Sequence, residues 1–147
     1  MVKGGKMNED KHAVGEVEGF LGDWQGEHQP MRYWFGVFYK ELTTMSGVTL
    51  SFMARPGVSY SLRPRLQNGN GREFFAIVDV IDDDPENRWL SVCFYEDMIS
   101  DPEGRGESIP GGLGGSDGYC FDFPDDDNDL ALYLIARLRE ARAAAAA

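Results

Sequence analysis

The clearest pattern of apolar and polar residues lies near the C-terminus. Leu130, Leu134 and Leu138 recur every four residues, so they share one face of a helix that we predict from Asp127 to about Arg142. The acidic run before this helix supplies residues for its N-cap, and the arginines near its end suit the helix dipole. The alanine run 143–147 also favours a helix, but it has no apolar partner to pack against, so we predict that this tail frays.

Patterns typical of β-strands occupy the middle of the chain. Apolar and polar residues alternate over 48–54, whereas residues 74–81 are apolar on both faces except at Asp79. We predict a strand over residues 31–42 as well, because aromatic and β-branched residues favour strands. Pro64 indicates that the strand before it ends there or lies at the edge of the sheet, because proline has no amide hydrogen to donate to a neighbouring strand. The predicted strands are Met31–Leu42, Val48–Ala54, Val58–Leu62, Phe74–Ile81, Trp89–Met98 and Tyr119–Phe123.

Three segments carry weaker patterns. Val14, Val17 and Leu21 approximate helical spacing, but the glycines among them each cost about 1 kcal/mol relative to alanine, so the predicted N-terminal helix is weak. The first twelve residues have no period, and we predict that 1–12 is a flexible tail. Residues 100–118 contain seven glycines and no apolar period, which predicts a long loop that is mobile or functional.

These elements predict a single α+β domain over residues 13–142. Short turns between successive strands favour an antiparallel meander sheet of about five or six strands, with the C-terminal amphipathic helix packed on one face. The 147 residues are 42% hydrophobic, which suffices for a core and excludes disorder throughout. The sequence shows neither an apolar run long enough for a membrane span nor an apolar N-terminal stretch, so we expect a cytoplasmic protein that does not bind membranes.

Charge is segregated along this acidic chain, whose net charge is −11. Residues 1–73 hold nine basic and eight acidic residues, whereas residues 74–147 hold five basic and seventeen acidic ones. No carboxylate lies between Leu42 and Arg72. The negative net charge repels phosphate backbones, which argues against nucleic-acid binding. The acidic half is suited instead to a basic protein partner.

Cys93 and Cys120 are the only cysteines. Two cysteines in a chain of this length do not make the disulfide framework of a small secreted domain. Both lie in apolar, strand-like surroundings, where a reduced and buried thiol behaves as a small apolar side chain, and we favour that state. A disulfide between them is the alternative if their strands are neighbours.

The motifs for catalysis and for cofactor binding are incomplete. The acidic run 125–129 lacks the glycine and the glutamate that a calcium loop needs at its sixth and twelfth positions. The glycine-rich stretch lacks the Gly-Lys-Ser/Thr ending of a phosphate-binding loop, and two histidines without paired cysteines do not make a zinc site. We therefore expect no cofactor and no metal, and we favour a function other than catalysis.

Two sets of residues are candidates for binding. Four arginines in and beside the segment without carboxylates could hold an anion under the 100–118 loop, and Asp79 needs a partner or a raised pKa if its strand is buried. An aromatic set would form an interaction surface on a sheet face that one helix leaves uncovered. The ligand-binding set is Arg55, Arg63, Arg65, Arg72 and Asp79, and the surface set is Trp34, Tyr39, Tyr60 and Tyr95.

The leading functional hypothesis is a protein-interaction module of the adaptor, immunity-protein or chaperone type. It rests on the aromatic sheet, the segregated charge and the lack of a complete catalytic set. Its partner would be a basic protein or, in a homodimer, a second copy of the chain. The alternative is a domain that binds a small molecule or an anion through the Arg55–Arg72 segment and the 100–118 loop, with enzymatic activity left open.

Overall fold

The structure, a computed structural model, describes residues 5–25 and 29–147 as three helices and a six-stranded sheet. The helices are α1 (Gly5–Asp23), α2 (Pro30–Thr43) and α3 (Asn128–Ala145). The strands are β1 (Val48–Arg55), β2 (Ser59–Leu66), β3 (Ile77–Ile81), β4 (Trp89–Tyr95), β5 (Glu107–Leu113) and β6 (Ser116–Phe123). A short 3₁₀ turn, Glu96–Met98, follows β4.

Neighbouring strands are antiparallel throughout the sheet, and their order is β1-β2-β3-β4-β6-β5. The α+β class, the antiparallel sheet and the C-terminal helix are confirmed. The meander runs from β1 to β4, and the last hairpin is reversed, so that β6 pairs with β4 and β5 lies at the edge. This edge is irregular, because a register shift containing Pro110 separates the pair Ile109–Gly118 from the pair Leu113–Ser116.

The segment Met31–Leu42 is helical, so the strand predicted there is wrong. The buried side chains of α2 are Met31, Trp34, Phe35, Phe38, Tyr39 and Leu42. Spacings of three and four residues place them along one side of a helix. Pro30 occupies the first turn, where its missing amide hydrogen costs no helical hydrogen bond.

The three helices pack on the same face of the sheet. Their ring contacts with the strands are Phe20 with Phe52 (centroids 5.8 Å apart), Phe38 with Phe123 (5.9 Å) and Tyr133 with Phe121 (6.1 Å). The helices and the inward strand positions share one buried apolar core. None of the helices in the described ranges is long and apolar enough to cross a membrane.

The N-terminal helix is longer than predicted. α1 begins at Gly5, so residues 5–12 are helical where the sequence predicts a flexible tail. The remainder of that predicted tail, residues 1–4, lies outside the described residues. Packing of Val17 and Phe20 against the core explains how a helix with several glycines is retained.

The C-terminal helix confirms its predicted start and corrects its predicted end. The carboxylate of Asp127 accepts a hydrogen bond from the Leu130 amide (3.0 Å), which is the expected N-cap. At the other end the alanine run does not fray, because Ala145 is buried and its carbonyl accepts a hydrogen bond from the Asn70 amide (2.8 Å). The small side chains allow the close approach of the β2–β3 connection.

The glycine-rich segment 100–118 contributes β5 and the start of β6 to the sheet, which corrects the loop predicted there. Asp101 anchors its beginning, since its carboxylate accepts hydrogen bonds from the hydroxyls of Tyr119 (2.6 Å) and Tyr133 and from two backbone amides. Although burial acts against ionisation, these hydrogen bonds lower the pKa of Asp101. The hydrogen bond between Tyr119 and Asp101 raises the pKa of Tyr119 to about 12.

Candidate functional site

The face of the sheet opposite the helices is the candidate site, and we call it the open face. Because side chains alternate along a strand, residues between the inward-facing positions point to this face. It consists of Thr49, Ser51, Met53 and Arg55 of β1, Ser59, Ser61, Arg63 and Arg65 of β2, Ile77, Asp79 and Ile81 of β3, Trp89, Ser91, Cys93 and Tyr95 of β4, Gly118, Cys120 and Asp122 of β6, and Glu107 and Ile109 of β5. No described helix covers it.

Charge divides the open face into a basic and an acidic half. The basic half, on β1 and β2, holds Arg55, Arg63 and Arg65, and the acidic half, on β3, β6 and β5, holds Asp79, Asp122 and Glu107. None of these six side chains makes an ion pair with another residue in the described ranges. The open face therefore presents both signs of charge to its surroundings.

Arginines elsewhere in the described chain are engaged within the molecule. Arg32 and Arg142 donate to the backbone carbonyls of Leu21 (2.8 Å) and Ser46 (2.6 Å). The ion-paired arginines and their partners are Arg72 with Asp97, Arg88 with Asp82, Arg105 with Glu103 and Asp127, Arg137 with Glu140, and Arg139 with Glu41. The arginines that have no carboxylate or carbonyl partner within the described chain are therefore Arg55, Arg63 and Arg65, all on the open face. Arg63 donates a hydrogen bond to the Ser61 hydroxyl (3.0 Å).

Asp79 lies near the centre of the open face, between Ser61 of β2 and Ser91 of β4. One of its carboxylate oxygens is buried without a hydrogen-bond partner among the described residues. Burial raises the pKa of Asp79, while the Ser61 hydroxyl and the charges of Arg63 and Arg55 act in the opposite direction. The position therefore lacks one hydrogen-bond donor.

The substitution Asp79→Asn should raise the free energy of unfolding at neutral pH by about 1 kcal/mol, because it removes a poorly solvated charge. A raised folded-state pKa means that ionisation destabilises the fold above that pKa, and that the cost vanishes as pH falls below the ordinary value of 3.8. Urea denaturation at neutral pH and at about pH 3 measures both values. The matched control Glu86→Gln, exposed in the turn between β3 and β4, should change stability by less than about 0.5 kcal/mol. An equal gain at both pH values would contradict this account.

Cys93 and Cys120 form a disulfide on the open face, so the reduced state favoured from the sequence is wrong. They are directly opposite each other on β4 and β6, with Cα atoms 4.1 Å apart. This is the neighbouring-strand arrangement on which the alternative depended. The bridge ties the reversed hairpin to the centre of the sheet.

The aromatic interaction surface predicted from the sequence is not assembled. Trp34 and Tyr39 lie on α2 and are buried, because that segment is a helix that faces the core. Tyr60 is half-buried beneath Phe20 (ring centroids 4.2 Å apart). Tyr95 is buried beneath the β2–β3 connection, where the Arg72 guanidinium lies 4.0 Å from its ring centroid.

Four of the five predicted ligand-binding residues lie on the strands of the open face, whereas Arg72 lies in the β2–β3 connection, over Tyr95 at the end of that face. Its guanidinium pairs with Asp97 (2.8 Å), and the Asp97 hydrogen bond raises the pKa of Arg72. A groove of about 410 Å³ beside it is lined by Glu96, Asp97 and Asp117. These carboxylates would repel an anion, so this end of the molecule is unsuited to the predicted ligand class.

Sequence reasoning missed two of the residues that define the acidic half. Asp122 alternates with Phe121 and Phe123, and this period was the signal that could have placed it on the polar side of a strand. Glu107 had no such signal, because prolines and glycines surround it. The apolar period that reveals a strand is absent from β5.

Comparisons with known protein families, with curated proteins and with solved structures find no match to this chain. Within the part of the chain that the structure describes, no group of three His, Cys, Asp or Glu side chains is arranged to hold a metal ion.

Proposed function

We propose that the chain is a protein-interaction module and that the open face is its binding surface. The observation that carries the proposal is the set of six charged side chains that make no ion pair within the described chain. Strand pairing fixes the backbone spacing of these side chains, so the backbone needs no ordering on binding, although each immobilised side chain still costs about 0.5–1.5 kcal/mol. Such a partner carries acidic groups opposite β1–β2 and basic groups opposite β5–β6.

The apolar content of the open face supports the same function. Met53 of β1 is 45% exposed, and Ile77 and Ile81 of β3 and Trp89 of β4 are partly exposed beside the charged side chains. Protein interfaces likewise combine apolar contact area with polar and charged groups. Charged residues then fix the orientation of the partner more than they add affinity.

The anion-binding alternative has less support. Its proposed lid is largely part of the β5–β6 hairpin, and Arg72 is occupied by Asp97. The cytoplasmic location stays a prediction, and the Cys93–Cys120 disulfide favours an oxidising compartment, because cytosolic thiols are kept reduced.

A photo-crosslinking residue tests the proposal. Placed at Met53 on the open face and irradiated in a low-salt lysate of cells that make the protein, it should give an adduct with a protein. Irradiation at high salt, or of the Arg65→Glu variant, should give no adduct. The matched control is the same residue at Leu132, an exposed apolar position on α3, which should give no such adduct. Equal crosslinking at both positions, or none at Met53, would refute the open face as a binding surface.

A further inference from the structure

We propose that the partner of the open face is a second copy of this chain, packed face to face about a two-fold axis that runs parallel to the strands. This inference rests on the proposed function and specifies its occupant. Two facing sheets whose strands lie within about 30° of each other form a sandwich about 10 Å thick. The dimer would thus complete a two-sheet sandwich with helices on both outer sides.

The charge pattern selects the direction of the axis. A two-fold axis along the strands, between β3 and β4, places β1 and β2 of one copy over β5 and β6 of the other. The register sets Ser61 opposite Asp122 and Ser51 opposite Glu107 of the second copy. Arg63 neighbours both serines and therefore lies beside both carboxylates. An axis across the strands would instead place arginines over arginines, and like charges in contact oppose association.

The open face is also where two copies of an acidic protein repel each other least. The chain carries a net charge of −11, but the open face carries three arginines and three carboxylates. Repulsion between the remaining surfaces weakens with distance and with salt. Contact through the open face, whose charges balance, keeps the excess negative charge of both copies on the outside of the dimer.

The centre of this arrangement brings polar side chains together. The axis between β3 and β4 places Asp79 of one copy opposite Ser91 of the other, because these two residues are paired across the axis within each sheet. The carboxylate oxygen of Asp79 that has no hydrogen-bond partner in the described chain is closed to solvent, so this contact does not reach it. Two equivalent contacts between Asp79 and Ser91 form, as two-fold symmetry requires.

The size of the face suffices for a dimer of moderate stability. Six strands about 4.8 Å apart, each about seven residues long at about 3.3 Å per residue, span roughly 650 Å² in projection. A standard interface buries about 800 Å² on each partner. The accessible area of the open face is larger than its flat projection, because side chains protrude from the sheet. The charges, rather than a large apolar area, then set the specificity.

Reciprocal charge reversal tests the inference with purified protein. Wild type at ~100 µM should sediment at twice the monomer mass, since interfaces of this size commonly bind at micromolar Kd or tighter. Arg63→Glu and Glu107→Arg should each raise the dimer Kd at least about tenfold, because each places like charges in contact. An equimolar mixture of the two variants should recover dimers, since both contacts then join opposite charges.

Matched controls carry the same change of charge on other surfaces. Lys40→Glu on α2 and Glu86→Arg in the β3–β4 turn are exposed and should leave the dimer unchanged. Arg65→Glu is a second reversal for the case that loss of the Arg63–Ser61 bond unfolds the first variant, as circular dichroism would show. Monomeric wild type, or two reversed variants that dimerise alone, would overturn the inference. A Met53 adduct with a different protein, together with monomeric wild type, would leave the proposed function standing and remove only the homodimer.

Discussion

Replacing Asp82 with alanine should lower the free energy of unfolding by about 3–5 kcal/mol, because it leaves a buried positive charge without its partner. Asp82 is 2% exposed, and its carboxylate accepts hydrogen bonds from Arg88 (2.7 Å) and from the Gly57 amide (2.7 Å). The guanidinium of Arg88 lies over the rings of Phe20 and Trp24, 5.2 and 4.9 Å from their centroids. The Arg88 side chain is only 14% exposed, so its charge is poorly solvated when Asp82 is lost.

Asp83 offers the control for this experiment, since it adjoins Asp82 in the chain but is exposed. Asp83→Ala should change stability by less than about 0.5 kcal/mol. Thermal unfolding should show a drop of roughly 10 °C for Asp82→Ala, at 2–4 °C per kcal/mol for a chain of this size. Similar melting temperatures for the two variants would show that the pair is solvated.

Loss of the disulfide between Cys93 and Cys120 should lower the free energy of unfolding by about 3 kcal/mol. The bridge closes a segment with a sequence separation of 27, and a crosslink over that length removes entropy from the unfolded chain. The effect should appear in urea denaturation as a lower midpoint after reduction. The slope should also change, because the reduced unfolded chain is less compact.

The double variant Cys93→Ala and Cys120→Ala is the control for reduction. Its stability should match that of the reduced wild type, and a reductant should not change it further. A thiol titration in denaturant gives an independent count. Two reactive thiols in the unreduced wild type would mean that the bridge is absent.

The α2 segment shows why the strand prediction failed. Tyr33, Phe35 and Val37 alternate as in a strand, and aromatic composition supported that reading. The same segment also contains apolar residues at the helical positions 31, 34, 35, 38 and 42, and these are the side chains that are buried in the structure. Pro30 at the start was the signal that could have decided between the two periods.

The polar side of the sheet was more accessible to sequence reasoning than the apolar side. Asp79 stood out because it interrupts an apolar strand, and the arginines of β2 stood out because their segment contains no carboxylate. Their convergence on one face depends on the register of β2 against β3. Register is set by the turns and by packing of the whole core, which a linear pattern does not contain.

The irregular outer strand limits how this protein can self-assemble. An exposed regular edge can template further strands and lead to fibrils, whereas proline and a bulge interrupt the ladder of amide donors. Pro110 and the register shift between Ile109 and Leu113 interrupt the edge strand in this way. Lateral extension of the sheet past β5 is therefore blocked, and a protein rich in β-structure gains protection against amyloid-like growth at that edge.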